Sequence, residues 1–241
     1  MKKLLFIFLA IGLSTAAHAQ WGSKKVEGNG SMTQTTRELG SYDAVHVAGF
    51  FDVFLVAGEE GTVKLEGESN LLDHVITEVK GNVLRIEIED RMNLQPSNNK
   101  TITVTVPFKE LSEVNLSGSG DVVARDPIVI STFSTALSGS GDIILEVNAT
   151  NVEANLRGSG DLTLKGTAQK VELDLRGSGD IHASDLSATD ADASIAGSGD
   201  ISLHCDGGKL KARITGSGDI EYSGKPSQED SSVVGSGSIS N

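Results

Sequence analysis

Leu156-Arg157-Gly158-Ser159-Gly160-Asp161-Leu162-Thr163-Leu164 is one copy of a pattern that recurs through the C-terminal half of the chain. Gly-Ser-Gly-Asp starts at Gly118, Gly139, Gly158, Gly177, Gly197 and Gly216. Gly235-Ser236-Gly237-Ser238 repeats the glycines with a serine in place of the acid. Successive copies lie 21, 19, 19, 20, 19 and 19 residues apart. A fixed period near 20 residues marks a solenoid, in which each repeat buries its apolar face by stacking on the next.

The residues around the glycines give the direction of the chain. Two positions before each copy stand Leu116, Leu137, Leu156, Leu175, Ile195, Ile214 and Val233. Two positions after each Gly-Ser-Gly stand Val122, Ile143, Leu162, Ile181, Ile201, Ile220 and Ile239. Apolar and polar residues alternate on both sides, which is the period of a strand with one buried face. Each repeat therefore reads as strand, tight bend, strand and a looser variable turn. Stacked in register, equal coils form an all-β parallel β-helix with 19–21 residues per coil, two main sheets and bends at Gly-Ser-Gly.

The bend accounts for the paired glycines: Gly118 and Gly120, Gly139 and Gly141, Gly158 and Gly160, Gly177 and Gly179, Gly197 and Gly199, Gly216 and Gly218, Gly235 and Gly237. A strand that reverses within three residues needs positive φ or close backbone approach, which glycine allows. Asp121, Asp142, Asp161, Asp180, Asp200 and Asp219 then stack in one row, with neighbours about 4.8 Å apart. Adjacent carboxylates at that spacing repel by about 1 kcal/mol in water and by more at lower effective dielectric. Two offsets are open. Each Asp can accept hydrogen bonds from the N–H groups of its own bend, or cations such as weakly held Ca2+ can sit between coils. The known calcium β-roll has a nine-residue period, which this chain does not share.

Composition bounds the rest. Lys2-Lys3, the apolar run Leu4 to Leu13 and Ala17-His18-Ala19 predict a signal peptide over residues 1–19, and so an exported chain in the periplasm, at the outer membrane or outside the cell. No later segment is long and apolar enough to span a membrane. The net charge is −13, and −15 once Lys2 and Lys3 leave with the leader. Such a surface repels phosphate backbones, so no nucleic-acid partner is expected. The single cysteine, Cys205, falls in the inward frame and reads as a buried structural thiol.

Residues 20–40 are polar and read as a flexible N-terminal segment, and 41–241 as one β-helix domain, with degenerate coils and strands over 41–110 and regular coils over 111–241. Val47, Gly49, Asp52, Val53 and Leu55 repeat the later frame, with Phe50-Phe51 in place of Ser-Gly. Thr62 to Glu66, Val75 to Val79, Val83 to Ile88 and Thr101 to Val106 read as strands, Asn70 to His74 as a helical turn and Met92 to Lys100 as a polar loop. Helical spacing of Leu72, Val75, Ile76 and Val79 is the rival reading there.

Tyr42, Asp43, Val45, Val47, Gly49, Asp52 and Val53, followed by the six tandem Gly-Ser-Gly-Asp copies, resemble the secreted bacterial family called putative auto-transporter adhesin, head GIN domain. The resemblance covers nearly all of the chain after the leader. It implies a right-handed β-helix without catalytic residues, and an adhesion role. Asn241 follows the last coil directly, so no translocator barrel is expected after it. The residues agree with a non-catalytic reading. Glycoside hydrolysis needs two convergent carboxylates, and His46, His74, His182 and His204 have no zinc-ligand spacing. Arg157 and Arg176 are expected to point outward and screen the acidic row. The sequence predicts an adhesion or interaction module for a surface glycan or a protein, with a homo-oligomer through the solenoid as a further expectation. The alternatives are a carbohydrate-active enzyme and a calcium-stabilised scaffold.

Overall fold

The apolar ladders face inward along stacked parallel strands in the computed structural model, which describes residues 23–241. The predicted signal peptide lies outside the described residues. The stack is a β-solenoid of about seven turns. Glu113–Gly118, Ile128–Gly139, Ile143–Gly158, Leu162–Gly177, Ile181–Gly197, Lys209–Gly216 and Gln228–Gly235 carry the approach to each bend, and each pairs in parallel with the next. Leu116, Leu137, Leu156, Leu175, Ile195 and Ile214 are in register and buried. So are Val122, Ile143, Leu162, Ile181, Ile201 and Ile220 on the departing side.

The variable turn is tighter than its polar composition suggests. Leu162–Gly177 is one strand of 16 residues, and its ladder with the preceding coil runs through Gly166, Thr167 and Ala168. The inward set passes from Leu164 to Ala168 and then to Val171, and this change of phase marks the corner. Coils of unequal length absorb their extra residues locally. The 20-residue coil does so in an irregularity facing Thr163 to Lys165, and the 21-residue coil before Ile128, at Arg125-Asp126-Pro127.

The degenerate copy is a true coil. Ala44–Gly49 and Asp52–Ala57 pair in parallel with Glu113–Gly118 and Asp121–Ala124, with Gly49 opposite Gly118 and Asp52 opposite Asp121. On their other side they pair in parallel with Val83–Ile88 and Thr103–Phe108. The chain thus lays its second coil on one side of the first and its third on the other. The segment between is antiparallel. Thr62–Glu68 pairs with Met32–Glu38 and Thr103–Phe108, and Val75–Lys80 with Val83–Ile88. Leu71, Leu72, Val75, Leu94 and Ile102 are buried here and close the N-terminal end of the core, as the open end of a solenoid requires. The short helix is Ser69–Leu72, and Val75–Lys80 is strand rather than its continuation.

Two polar segments depart from the sequence reading. Residues 20–40 are not a flexible leader throughout: Lys24–Glu27 and Met32–Glu38 are strands. The polar loop 92–100 begins with the strand Met92–Gln95, which pairs in parallel with Lys24–Glu27. Val26 is the one residue of Lys24–Glu27 that packs on the core, and Met92 and Leu94 are the two of Met92–Gln95, so the apolar signal of each segment is too short to mark a strand. The polar stretch Lys225 to Ser232 leads into the last coil, as Gln228–Gly235. In the register of the buried Leu210 and Ala212 it places Glu229 and Ser231, which gives the final coil a polar inward edge.

Candidate functional site

The bends line up as two glycine ladders whose backbones touch. Gly139 has φ +138°, and its carbonyl oxygen accepts from Ser159 N at 2.9 Å and Gly160 N at 3.2 Å of the next coil. The second glycine of each copy lies outside the positive-φ region, and its requirement is space alone. A Cβ on Gly160 falls 1.9 Å from the Gly141 carbonyl oxygen. One ladder therefore needs glycine for both conformation and contact, and the other for contact.

The acids next to these bends form the expected row, with a different bonding scheme. The Asp121 carboxylate accepts from Asp142 N at 3.1 Å, Asp142 from Asp161 N at 2.9 Å and Asp161 from Asp180 N at 3.0 Å. Asp180 accepts from Asp200 N at 2.8 Å and Asp200 from Asp219 N at 2.7 Å. The expectation that each Asp caps its own bend is corrected: each carboxylate staples the following coil. In-register stacking brings the next bend's N–H within reach, and that bond to an ionised acceptor offsets the repulsion along the row. Asp219 ends the series by accepting from both N and Oγ of Ser238, which offers no carboxylate to a further coil.

Sequence reading put Asp52 in the repeat frame but did not count it in the row, whose foot it is. Asp52 stands beside Asp121, and burial first, then the Asp121 charge, push its pKa up against the Thr101 hydrogen bond. The shared frame of Gly49 and Asp52 was the available signal. Sequence reading missed Glu68, a buried acid that accepts from Gly30 N, from Ser97 Oγ at 2.6 Å and from Ser97 N at 2.8 Å. The Ser97 hydroxyl leads the causes that hold its pKa below the usual carboxylate range. Glu68 ties the N-terminal strands to the end of the stack. No sequence motif announces it, because its partners lie 29 and 38 residues away.

Two residues beyond the acids runs a second outward ladder: Phe54, Val123, Ile144, Thr163, His182, Ser202, Glu221 and Ser240. Its first three members make an apolar stripe beside the acidic row, with the Arg125 guanidinium 4.3 Å from the Phe54 ring centre. Arg176 does not screen the row. It pairs with Asp174 on its own strand at 2.9 Å, because residues two apart on a strand share a face. The other histidines are separate: His46 contacts Glu113, His74 contacts Glu89 and His204 contacts Ser223. Cys205 is fully buried, its Sγ donates to Thr189 O at 3.2 Å, and burial raises its pKa.

The family model described as putative auto-transporter adhesin, head GIN domain matches residues 41–226. A solved structure of a putative adhesin from Bacteroides fragilis NCTC 9343 superposes with a TM-score of 0.83 at 22% identity, over 90% of this chain and 99% of that one. A putative lipid binding protein from Parabacteroides distasonis ATCC 8503 gives 0.74 at 28% identity, over 90% and 99%. A putative adhesin from Parabacteroides merdae ATCC 43184 gives 0.71 at 21%, over 90% and 98%. No functionally curated protein matches the sequence. Among the described residues, no helix is long and apolar enough to cross a membrane.

Proposed function

The chain belongs to the putative auto-transporter adhesin, head GIN domain family, and from that premise we propose that it is an exported, non-catalytic adhesion or interaction module at the bacterial envelope or cell surface. The observation that carries this reading is the outer surface, which is made of ladders. In the row from Asp121 to Asp219 one residue type recurs coil after coil along a line. Such a surface meets an extended partner, a glycan chain or a protein face, by repeated contacts. Catalysis by paired carboxylates needs one convergent pair with different environments, and the row repeats one environment. The Phe54, Val123 and Ile144 stripe adds apolar contact area beside it, which suits a partner with an apolar side, as the description of the lipid-binding relative also suggests for that protein.

The test is a pair of measurements on residues 20–241. Labelled protein is screened on a glycan array and on bacterial and host cells, and the same sample is incubated with uronic-acid polymers. The reading expects saturable binding that Ile144→Asp weakens, with no turnover. Turnover lost on substitution of a single Asp contradicts it and supports a carbohydrate-active enzyme.

Self-association fits the same reading through one end of the rod. Gln228–Gly235 pairs on one side with Lys209–Gly216, and it exposes Val233 and Val234. An uncovered strand edge of this kind invites pairing. The exposed valines favour association through the C-terminal ends of two copies. A dimer mass in light scattering that reverts to monomer with Val234→Lys is the expected result, and a monomer at every concentration overturns it.

A further inference from the structure

We propose that Asp161, Asp180 and His182 bind a divalent first-row transition-metal ion, best matched by Zn2+, on the outer face of the solenoid. Among the described residues this is the group of three whose ligand atoms, one from each side chain, all lie within 4.8 Å of one another. The topology makes the group. Asp161 and Asp180 are consecutive in the acidic row, and His182 follows Asp180 by two residues, so its imidazole leaves the strand on the same face.

Three features favour an ion there. First, both carboxylates are held in place before binding. Oδ1 of Asp161 accepts from Asp180 N and Oδ1 of Asp180 accepts from Asp200 N, which leaves the second oxygen of each for a ligand. Second, ion pairs on this half of the solenoid engage Glu172, Asp174, Asp185 and Asp192, and none engages the row itself among the described residues. A cation thus relieves repulsion that no basic side chain relieves. Third, among the regular coils this step alone adds a nitrogen ligand to the row. The slot held by His182 contains Val123, Ile144, Thr163, Ser202 and Glu221 in the other regular coils. The neighbouring steps Asp142–Asp161 and Asp180–Asp200 share the carboxylate-to-backbone bond and carry Thr163 and Ser202 in place of a nitrogen ligand.

The donor set selects the ion. One imidazole and two carboxylates suit Zn2+ and its first-row neighbours, whereas Ca2+ takes oxygen ligands. Zinc–ligand bonds of about 2.0–2.2 Å place tetrahedral ligands roughly 3.5 Å apart. The ligand atoms, within 4.8 Å of one another, must draw closer on binding, and the exposed His182 side chain has room to turn because its ladder neighbours Thr163 and Ser202 are small. Three protein ligands leave one position for water or for a donor from a partner.

The site does not depend on the proposed adhesion role, and the metal alone is the probe. Zn2+ is titrated calorimetrically into the chain bearing no histidine tag, and Co2+ is followed by its visible absorption. One ion per chain with a Kd below about 100 µM is expected. His182→Ala and Asp161→Asn should each weaken binding about ten-fold or more, while His204→Ala and Asp121→Asn leave it unchanged. The double change His182→Ala with Ser202→His should restore binding one step along the row, at Asp180 and Asp200. Absence of saturable binding, or binding that survives His182→Ala, overturns the proposal.

Discussion

Replacing Gly160 by alanine isolates the contact that defines the stack. The new Cβ falls 1.9 Å from the carbonyl oxygen of Gly141, against a limit near 3.0 Å for real Cβ contacts, and the obstacle is backbone. The two coils must part locally by more than an ångström. That displacement weakens the bonds from Ser159 N and Gly160 N to Gly139 O, each worth about 1 kcal/mol. With the lost packing, Gly160→Ala should cost about 2–4 kcal/mol, in the range of the larger single-site effects. Gly158→Ala meets the same kind of clash, 2.1 Å from Gly139 O, and adds a φ of +137°, so it should cost roughly 1–3 kcal/mol more. Two controls separate the causes. Gly81 has φ +63° with nothing within 4 Å of a Cβ, and Gly40 has open space without a positive φ. Gly81→Ala should cost about 1 kcal/mol and Gly40→Ala no more than about 0.5. At about 2–4 °C per kcal/mol for a domain of this size, thermal unfolding should place Gly160→Ala roughly 5–15 °C below Gly40→Ala. Equal melting temperatures for the two would refute the touching-backbone account.

The remaining predictions concern the acids and the thiol. Asp142→Ala removes the acceptor for Asp161 N and should destabilise by about 1 kcal/mol. Asp142→Asn keeps an Oδ1 acceptor and relieves repulsion, so it should match or exceed the parent in urea denaturation, with a margin that shrinks as salt is added. The lowered folded-state pKa of Glu68 means its contribution is full above the unfolded value, about 4.3–4.5. It is lost as pH falls through the lower folded value. Hydrogen exchange over residues 24–38 should therefore rise first on acidification below that point, and Glu68→Gln should raise it already at neutral pH; unchanged protection in that variant contradicts the staple. Cys205, buried and with a raised pKa, should not react with a thiol reagent such as DTNB until the protein unfolds.

The repeat was legible because each of its positions has one physical job. Leu156 and Leu162 fill the core, Gly158 and Gly160 permit contact, and every coil restates this, so period and fold could be read from residues alone. The degenerate copy at Gly49 and Asp52 was legible for the same reason, although its neighbours in the stack come from residues 83–108 and 113–124. What the repeat could not show is direction across coils. An Asp beside a tight bend looks like a cap for that bend, and only stacking reveals that the nearer donor belongs to the next coil. The strands Lys24–Glu27 and Met92–Gln95 escaped notice because each is four residues long and offers the core only Val26 in one and Met92 and Leu94 in the other. Glu68 escaped because its partners are set by tertiary structure. In the candidate site, the row was visible in sequence but the distinction of one step was not. His182 becomes special once register puts it beside two fixed carboxylates.

The measurement that bears most directly on the functional claim is binding and turnover on one sample. Residues 20–241 are offered to a glycan array and to intact cells, then to the glycans and uronic-acid polymers themselves. A module built of repeating ladders predicts saturable binding with every ligand recovered uncleaved. Cleavage of a glycan that stops on substitution of one acid in the row would contradict it, because it would show that one of six like positions had become an active site.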